Sequence, residues 1–248
     1  GRWYEQAGTP QITMRRRAGG GSNEMVLALA QHTPETAAKT PRHAVPIPIR
    51  IAFLDGTGAI APTRLAKDAP AQHEHMILLA EDQQDQPIYA ANVADLTPSI
   101  LRNFSAPVTI DDDLSRDERR HIMRYDTDLF NRWDTAQTLI SDEILAVATN
   151  PSAPVNTGSI SVLADGFGHI LADPSCLDHF KAAILTLPAI SVLESRMAPA
   201  DPVDLFKARL AVEAALGQHM KEQYQQAIIP QKSVTLAATA GGRALRNR

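Results

Sequence analysis

Asp126-Thr-Asp-Leu-Phe-Asn-Arg-Trp-Asp-Thr-Ala-Gln-Thr-Leu139 is the stretch at which the sequence changes from short alternating segments to long amphipathic ones. From here apolar residues recur at steps of three and four, which places them on one face of an α-helix. They are Leu129, Trp133, Ala136, Ile140, Ile144 and Val147. The spacing leaves other residues mostly outside that face, namely Asn131, Asp134, Asp142 and Glu143. We therefore expect a long helix that packs through this face.

The sequence before this stretch predicts β-strands. Short segments there alternate or are rich in β-branched and aliphatic residues, at 11–16, 25–32, 46–54, 73–80, 88–92, 99–104 and 108–110. Asp55-Gly-Thr-Gly58 is typical of a hairpin turn. Pro46 and Pro48 predict an edge strand or a bulge, because proline donates no backbone hydrogen bond. An exposed loop is expected over 33–43, and seven short strands favour a β-sandwich.

A capping pattern marks the start of the helical half. Ser115 and Glu118 have the spacing of a capping box, so a helix should begin at Ser115 or Arg116. We expect this helix to end near Tyr125. The long helix introduced above should then run to about Thr149.

Four further helices are predicted downstream, over residues 159–172, 175–187, 189–197 and 202–228. Ser175 with Asp178 should cap the second of these, and Asp201 followed by proline should begin the last. One face of the last helix is predicted to carry Phe206, Leu210, Ala214, Gly217, Met220, Tyr224 and Ile228. Successive helices of this kind are typical of an α-solenoid. Residues 234–248 have a basic helical pattern without a stop signal, so we expect a truncated end.

Composition excludes several classes of function. The 248 residues are 44% hydrophobic, which is enough for a sizeable core in two domains. The net charge of −4 provides no basic surplus for nucleic acid, and no apolar run approaches the length of a membrane helix. The single cysteine, Cys176, excludes an internal disulfide and favours a reducing, cytosolic compartment.

His73 and His75 are the first candidate for a metal site. Residues separated by one position lie on the same face of a strand, so the two imidazoles have the placement to share a metal. Two ligands do not complete a zinc site, and the H-E-x-x-H spacing is absent because position 77 is Ile. We expect a solvent-facing pair on a strand.

Three other groups of residues have patterns that favour structural roles over chemical ones. Cys176 and His179 share a predicted helix face, but a nucleophilic pair also needs an orienting group and an oxyanion site. The aspartates at 111–113 lack the spacing of a calcium loop and predict a solvated acidic run. The glycines at 19–21 and 166–168 do not form a phosphate loop or a dinucleotide fingerprint. We predict no catalytic, cofactor-binding or metal-binding residue in this chain.

Four segments carry a resemblance to a known family. The run Asp128-Leu-Phe-Asn-Arg-Trp-Asp-Thr-Ala-Gln137 resembles the Asp-Phe-x-Arg-Trp-Asp-Ala-Ala-Gln segment of bacterial aminopeptidase N, a family of zinc-dependent gluzincin peptidases. Three further segments agree in order, namely Arg2-Trp-Tyr-Glu-Gln-Ala-Gly-Thr-Pro10, Phe104-Ser-Ala-Pro-Val108 and Arg243-Ala-Leu-Arg-Asn247. The resemblance implies an immunoglobulin-like or fibronectin-like β-sandwich over 1–113. It implies an armadillo- or HEAT-like helical segment over 114–248.

The same resemblance implies a role. Members of that family hold one zinc with H-E-x-x-H and a distant Glu, and grip the substrate's amine with G-A-M-E-N, and both segments are absent from this sequence. The chain is therefore expected to be the non-catalytic linker and helical-cap portion of a cytoplasmic bacterial aminopeptidase that removes N-terminal amino acids from peptides. By itself it should be inactive and should hold no metal or cofactor. Its partners would be the catalytic domain and later helices of the same polypeptide, and the isolated chain is expected to self-associate.

Two alternatives stay open at this point. One is a free-standing protein-interaction module, and the other is an unrecognised hydrolase that relies on Cys176 or His73. An H-E-x-x-H segment upstream in the same reading frame would distinguish the aminopeptidase fragment from both.

Overall fold

The computed structural model describes residues 3, 6–35 and 42–232. Two compact units are distinguished, Gly1–Asn131 and Arg132–Arg248. The sequence boundary expected between residues 113 and 114 stays a prediction. The predicted basic helix at 234–248 and part of the predicted 33–43 loop lie outside the described residues.

The described part of the first unit contains seven strands in two sheets, as predicted. They are β1 (Gln11–Ala18), β2 (Glu24–His32), β3 (Ile47–Leu54), β4 (Glu74–Leu79), β5 (Gln83–Tyr89), β6 (Thr97–Ile100) and β7 (Thr109–Asp111). One sheet has the order β5-β2-β1-β7, and the other has the order β4-β3-β6. Only the β1–β7 pairing is parallel among these ladders. The predicted β-sandwich is confirmed.

In the core of the sandwich, buried residues alternate with more exposed ones along β1 and β2. Ile12 and Met14 of β1 are fully buried while their neighbours are partly exposed, and Leu27 of β2 is also fully buried. In β3 the last four residues, which are the ones that pair with β6, are all buried. Alternation with a period of two therefore describes β1 and β2, whereas both faces of the last part of β3 are covered.

The edge position predicted from the prolines is confirmed at Pro48, although β3 as a whole is the central strand of its sheet. The register explains why the prolines are tolerated. β4 pairs with residues 47–52 of β3, but β6 pairs only with residues 51–54, so Pro48 has one neighbouring strand. The backbone N–H of Arg50, two residues on, donates to Oγ of Ser105 at 3.0 Å rather than to a strand. A backbone N–H at position 48 would point to this same side of β3, where no strand is paired. Proline, which has no N–H, therefore breaks no hydrogen bond between strands there.

Two strands have other bounds than predicted. β5 begins at Gln83 and ends at Tyr89, instead of covering 88–92, because a half-exposed edge strand with mostly polar residues has no apolar signal. β6 ends at Ile100 instead of continuing to 104. Leu101 and Phe104 have left-handed φ angles of 58° and 50°, and residues 102–104 form a 3-10 turn. Such angles end a strand.

Two local signals are confirmed. Oδ1 of Asp55 accepts from the backbone N–H of Thr57 at 2.8 Å, and Gly58 has a φ of 90°, so the predicted turn is present. Oγ of Ser115 accepts from the N–H of Glu118 at 3.2 Å, and the Glu118 carboxylate accepts from the N–H of Ser115 at 2.8 Å. This capping box begins α1 (Arg116–Tyr125), as expected.

The long helix α2 (Leu129–Thr149) is present, but its buried side is wider than predicted. Ala136, Ile140 and Ile144 are fully buried, as expected. Asn131 and Glu143 were expected outside, but they are 7% and 5% exposed. Leu129 was expected inside and is 42% exposed. Those three predictions are wrong because the helix buries polar groups beside its apolar stripe.

The second unit continues with α3 (Thr157–Ala172), α4 (Asp178–Ile184), α5 (Ile190–Ser195), α6 (Pro202–His219) and α7 (Lys221–Lys232). Asp201 caps α6 as predicted, since its Oδ1 accepts from the N–H of Val203 at 2.8 Å. The predicted cap of α4 is wrong: Ser175 donates to Asp173 at 2.6 Å, and α4 begins only after Leu177. No helix in the described ranges has the length and apolar character needed to cross a membrane.

The predicted helix over 202–228 is in fact two helices separated by Met220. Its predicted apolar face is confirmed at Met220, which is fully buried, but it is wrong for Phe206 and Leu210, which are 52% and 47% exposed. The buried residues of α6 are Leu205, Ala208, Val212 and Leu216. Apolar residues occupy two faces of α6, so the sequence period does not choose between them.

Candidate functional site

The structure separates the two histidines that the sequence placed together. His73 is exposed and precedes β4, whereas His75 is 7% exposed and its Nε2 lies 2.9 Å from Oγ1 of the buried Thr63. Burial lowers the pKa of His75, and the hydrogen bond to Thr63 opposes part of this shift. The expected solvent-facing pair is therefore wrong for His75. Its imidazole is hydrogen-bonded to Thr63 and so links β4 to the segment that contains Thr63.

Cys176 is buried, and its neighbours differ from those of a nucleophile. Nη1 of Arg132 lies 3.1 Å from its Sγ, and Oδ2 of Asp173 lies 3.4 Å away. Burial raises the pKa of the Cys176 thiol, Arg132 lowers it, and Asp173 raises it further. His179 is exposed, so the hypothetical Cys176–His179 pair is not formed. A buried thiol with a raised pKa is a poor nucleophile.

Each aspartate of the acidic run is paired with an arginine. Asp111 accepts from Nη2 of Arg15 at 2.6 Å, and Asp113 accepts from Nε of Arg16 at 2.9 Å. The third carboxylate, that of Asp112, accepts from Nη2 of Arg119 at 2.5 Å. The predicted solvated run is wrong for Asp112, whose side chain is 5% exposed, whereas Asp111 is half exposed. The three carboxylates tie β7 and the following segment to β1 and α1.

The glycine segments have the structural roles that the sequence predicted. Residues 166–168 lie inside α3, and residues 19–21 form the turn between β1 and β2. Within residues 3, 6–35 and 42–232, no three His, Cys, Asp or Glu side chains are grouped to hold a metal ion.

The most concentrated polar group in the first unit surrounds Arg102, which is 6% exposed. Its Nη1 donates to Oδ1 of Asp126 at 2.5 Å and to Oγ of Ser99 at 3.0 Å. Its Nε donates to Glu74 at 2.8 Å, and its Nη2 donates to Thr127 at 2.8 Å. We call Ser99, Arg102, Asp126, Asp128 and Asn131 the Arg102 cluster.

The start of α2 completes the Arg102 cluster. Oδ1 of Asp128 accepts from the N–H of Asn131 at 2.9 Å, which caps the helix, and Oδ2 accepts from the N–H of Asn103 at 2.6 Å. Nδ2 of Asn131 donates to Oγ of Ser99 at 2.7 Å and to the carbonyl of Ile100 at 3.0 Å. The cap of α2 therefore also holds the end of β6.

The Arg102 cluster holds backbone that is strained. Leu101, Asn103 and Phe104 adopt left-handed φ angles, which cost non-glycine residues about 1 kcal/mol or more each. Burial lowers the pKa of the Arg102 guanidinium, but the carboxylates of Asp126, Glu74 and Asp128 together outweigh it and the net shift is upward. The side chains that face Arg102 already share hydrogen bonds with it. This arrangement fixes the conformation of the segment between β6 and α2.

The Arg102 cluster was not predicted from the sequence. The sequence pattern assigned no cap to α2, and it placed Asn131 outside the apolar face of that helix. The signal that was missed is the pairing of a buried strand-end arginine with acidic residues just before a helix.

Each half of the chain matches the model of a known protein family. A family model described as "Domain of unknown function (DUF3458) Ig-like fold" matches residues 8–113. A second, described as "Domain of unknown function (DUF3458_C) ARM repeats", matches residues 116–248, which is more than half of the chain. The chain belongs to the DUF3458_C family.

Curated relatives of this DUF3458_C chain are aminopeptidases. Aminopeptidase N of Caulobacter vibrioides is 33% identical over 99% of the chain, and aminopeptidase N of Escherichia coli is 28% identical over 90%. The Haemophilus influenzae enzyme is 24% identical over 90%. The chain spans about a quarter of the length of these relatives, 25–27%. The resemblance seen in the sequence is confirmed.

A solved structure shows the same fold. Aminopeptidase A of Legionella pneumophila, determined in complex with aspartic acid, matches 99% of the chain with a TM-score of 0.76. Its sequence identity is 20%, and the match covers 27% of that chain. An Ig-like sandwich followed by ARM-type helices is therefore the architecture of this DUF3458_C chain.

Proposed function

We propose that this chain is the non-catalytic linker and the beginning of the helical cap of a longer zinc-dependent aminopeptidase. The observation that carries the proposal is the alignment of 90–99% of the chain with only 25–27% of three aminopeptidases N. In that longer protein, the zinc ligands and the peptide-binding groups lie outside the present residues. The protein is cytoplasmic and removes N-terminal amino acids from peptides.

The bonds of the candidate residues support a structural role. His75 is engaged by Thr63, Cys176 is engaged by Arg132, and Arg102 is surrounded by acceptors. Buried polar groups that are fully bonded specify one conformation. A rigid sandwich of this kind suits a spacer whose partner surfaces belong to the rest of the polypeptide.

The exposed side of α6 supports the expected association of the isolated chain. Val203, Phe206 and Leu210 are 59%, 52% and 47% exposed, and their spacing places them along one side of the helix. In the longer protein, further helices cover this stripe, as in other stacked helical repeats. In the isolated chain, a second copy covers it.

The experiment compares two proteins, the 248-residue chain and the product of the whole reading frame. The chain alone should hydrolyse no amino-acid amide and hold no stoichiometric zinc by metal analysis. The whole product should do both, and chelation should abolish its activity. A reading frame without H-E-x-x-H would overturn the proposal and favour the free-standing interaction module.

A further inference from the structure

The described helices of the second unit enclose a cavity of about 110 Å³ that none of the roles above uses. Its inner wall is apolar and includes the buried Ile140, Phe167 and Leu216. Its polar lining residues are Arg209 and Tyr224, which are partly buried, and Glu213, which is exposed. The polar groups therefore lie at the opening, and the apolar groups lie at the bottom.

The volume limits what fits the bottom. A water molecule occupies about 30 Å³ in the liquid, and a cavity of about 150 Å³ accommodates benzene. The present cavity therefore holds about four carbon atoms, which is a branched aliphatic group such as isobutyl, and is too small for an aromatic ring.

The opening carries both signs of charge. Nη1 of Arg209 lies 3.4 Å from Oε2 of Glu213, which is one helical turn further along α6. The Glu213 side chain is 52% exposed. Such exposed pairs are weak, so each partner is available to a ligand. Nε of Arg209 donates to the carbonyl of Pro188 at 3.0 Å, which orients the guanidinium. Burial raises the pKa of Tyr224, and Glu213 adds to the rise, so its hydroxyl remains a donor at neutral pH.

We propose that this cavity binds a free aliphatic α-amino acid, with leucine as the best fit. The isobutyl group fills the apolar bottom, the carboxylate accepts from Arg209, and the ammonium group donates to Glu213. A zwitterion pairs with Arg209 through its carboxylate and with Glu213 through its ammonium group. A ligand that has only a carboxylate pairs with Arg209 but is repelled by the carboxylate of Glu213. Free amino acids are the product of the activity proposed above, so the physiological source of the ligand rests on that proposal, although the binding itself does not.

Gly217 provides the decisive variant. It lines the cavity, and a Cβ placed there meets no atom within 4 Å. A longer helical side chain leans toward the preceding turn, here toward Glu213 and the opening. Gly217→Leu should therefore block the cavity without a clash, and Gly217→Ala is the matched control because it also removes the helical glycine but adds only one methyl group.

The test is a calorimetric or NMR titration of the 248-residue chain with L-leucine. We expect saturable binding with a dissociation constant on the order of 1 mM. Gly217→Leu should weaken it at least about tenfold while Gly217→Ala changes it little, and glycine and phenylalanine should bind at least about tenfold more weakly than leucine.

Glu213→Gln tests the role of charge. It should weaken leucine about tenfold but leave 4-methylpentanoate, which lacks the amine, unchanged or tighter. The proposal fails if leucine does not bind, if it binds Gly217→Leu as well as the unchanged chain, or if Glu213→Gln has no effect. A chain that binds leucine but comes from a reading frame without H-E-x-x-H would refute the aminopeptidase proposal alone.

Discussion

Asp126→Ala should strongly destabilise the first unit. The Asp126 side chain is fully buried, and it accepts from Arg102 at 2.5 Å, from Oγ of Ser99 at 2.5 Å and from the N–H of Asp128 at 2.9 Å. Truncation leaves the guanidinium of Arg102, whose side chain is 7% exposed, with Glu74 as its remaining carboxylate partner.

The expected magnitude follows from the burial of the pair. Removing one partner of a buried ion pair costs about 3–5 kcal/mol, because the other charge is left uncompensated. Glu74 stays in contact with Arg102 but is 35% exposed, so we expect about 3 kcal/mol. That is a large share of the stability of about 5–15 kcal/mol typical of a domain, and it corresponds to a fall in Tm of about 10 °C.

The assay must separate the two units, and the two tryptophans make this practical. Trp3 belongs to the first unit and donates from Nε1 to the carbonyl of Pro46 at 3.1 Å, whereas Trp133 belongs to the second. In a Trp133→Phe background, denaturant unfolding followed by fluorescence therefore reports the first unit.

Asp117→Ala is the matched control. Asp117 pairs with Arg120 at 2.6 Å, but its side chain is 88% exposed, so the loss should stay below about 1 kcal/mol. Equal losses in Asp126→Ala and Asp117→Ala would refute the idea that the Arg102 cluster stabilises the sandwich.

Three further predictions address other sites. The pKa of His75 is lowered in the folded state, so the protein should be most stable above the unfolded pKa of about 6.5 and should lose stability as the pH falls below it. His75→Gln should reduce this pH dependence of the free energy of unfolding, measured by urea titration at several pH values, and an unchanged dependence would contradict it. Phe206→Glu should shift the isolated chain toward monomer in sedimentation, and an unchanged monomer fraction would contradict the role of the α6 stripe. Gly58→Ala should cost about 1 kcal/mol or more in thermal unfolding, because φ is 90° and a Cβ would lie 2.5 Å from Tyr125.

Much of the fold could be predicted because it depends on local patterns. Period two located most strands, and the capping residues located the starts of α1 and α6 to within a residue. The errors fall where a non-local factor decides. β3 is central although Pro48 has a single neighbouring strand, because β6 is short, and the sequence near Pro48 carries no information on the length of β6. α6 has two apolar faces, and only its neighbours select the buried one.

The candidate site was less predictable, because its bonds join residues far apart in the chain. Arg102 meets Asp126 across 24 positions, and Asn131 meets Ser99 across 32. No spacing rule links such residues. Cys176 was assessed against His179, three positions away, whereas its partner Arg132 is 44 positions away.

The run that first suggested the family consists of structural groups rather than reacting ones. Asn131 bonds within the first unit, to Ser99 and the carbonyl of Ile100. The next residue, Arg132, bonds within the second unit, to Cys176 and Asp173, and its guanidinium carbon lies 5.8 Å from the ring centroid of Phe180. Two successive buried polar residues thus serve two different units, and neither tolerates an apolar replacement without leaving partners unsatisfied. This requirement gives the run a structural reason to be a clear signature of the fold.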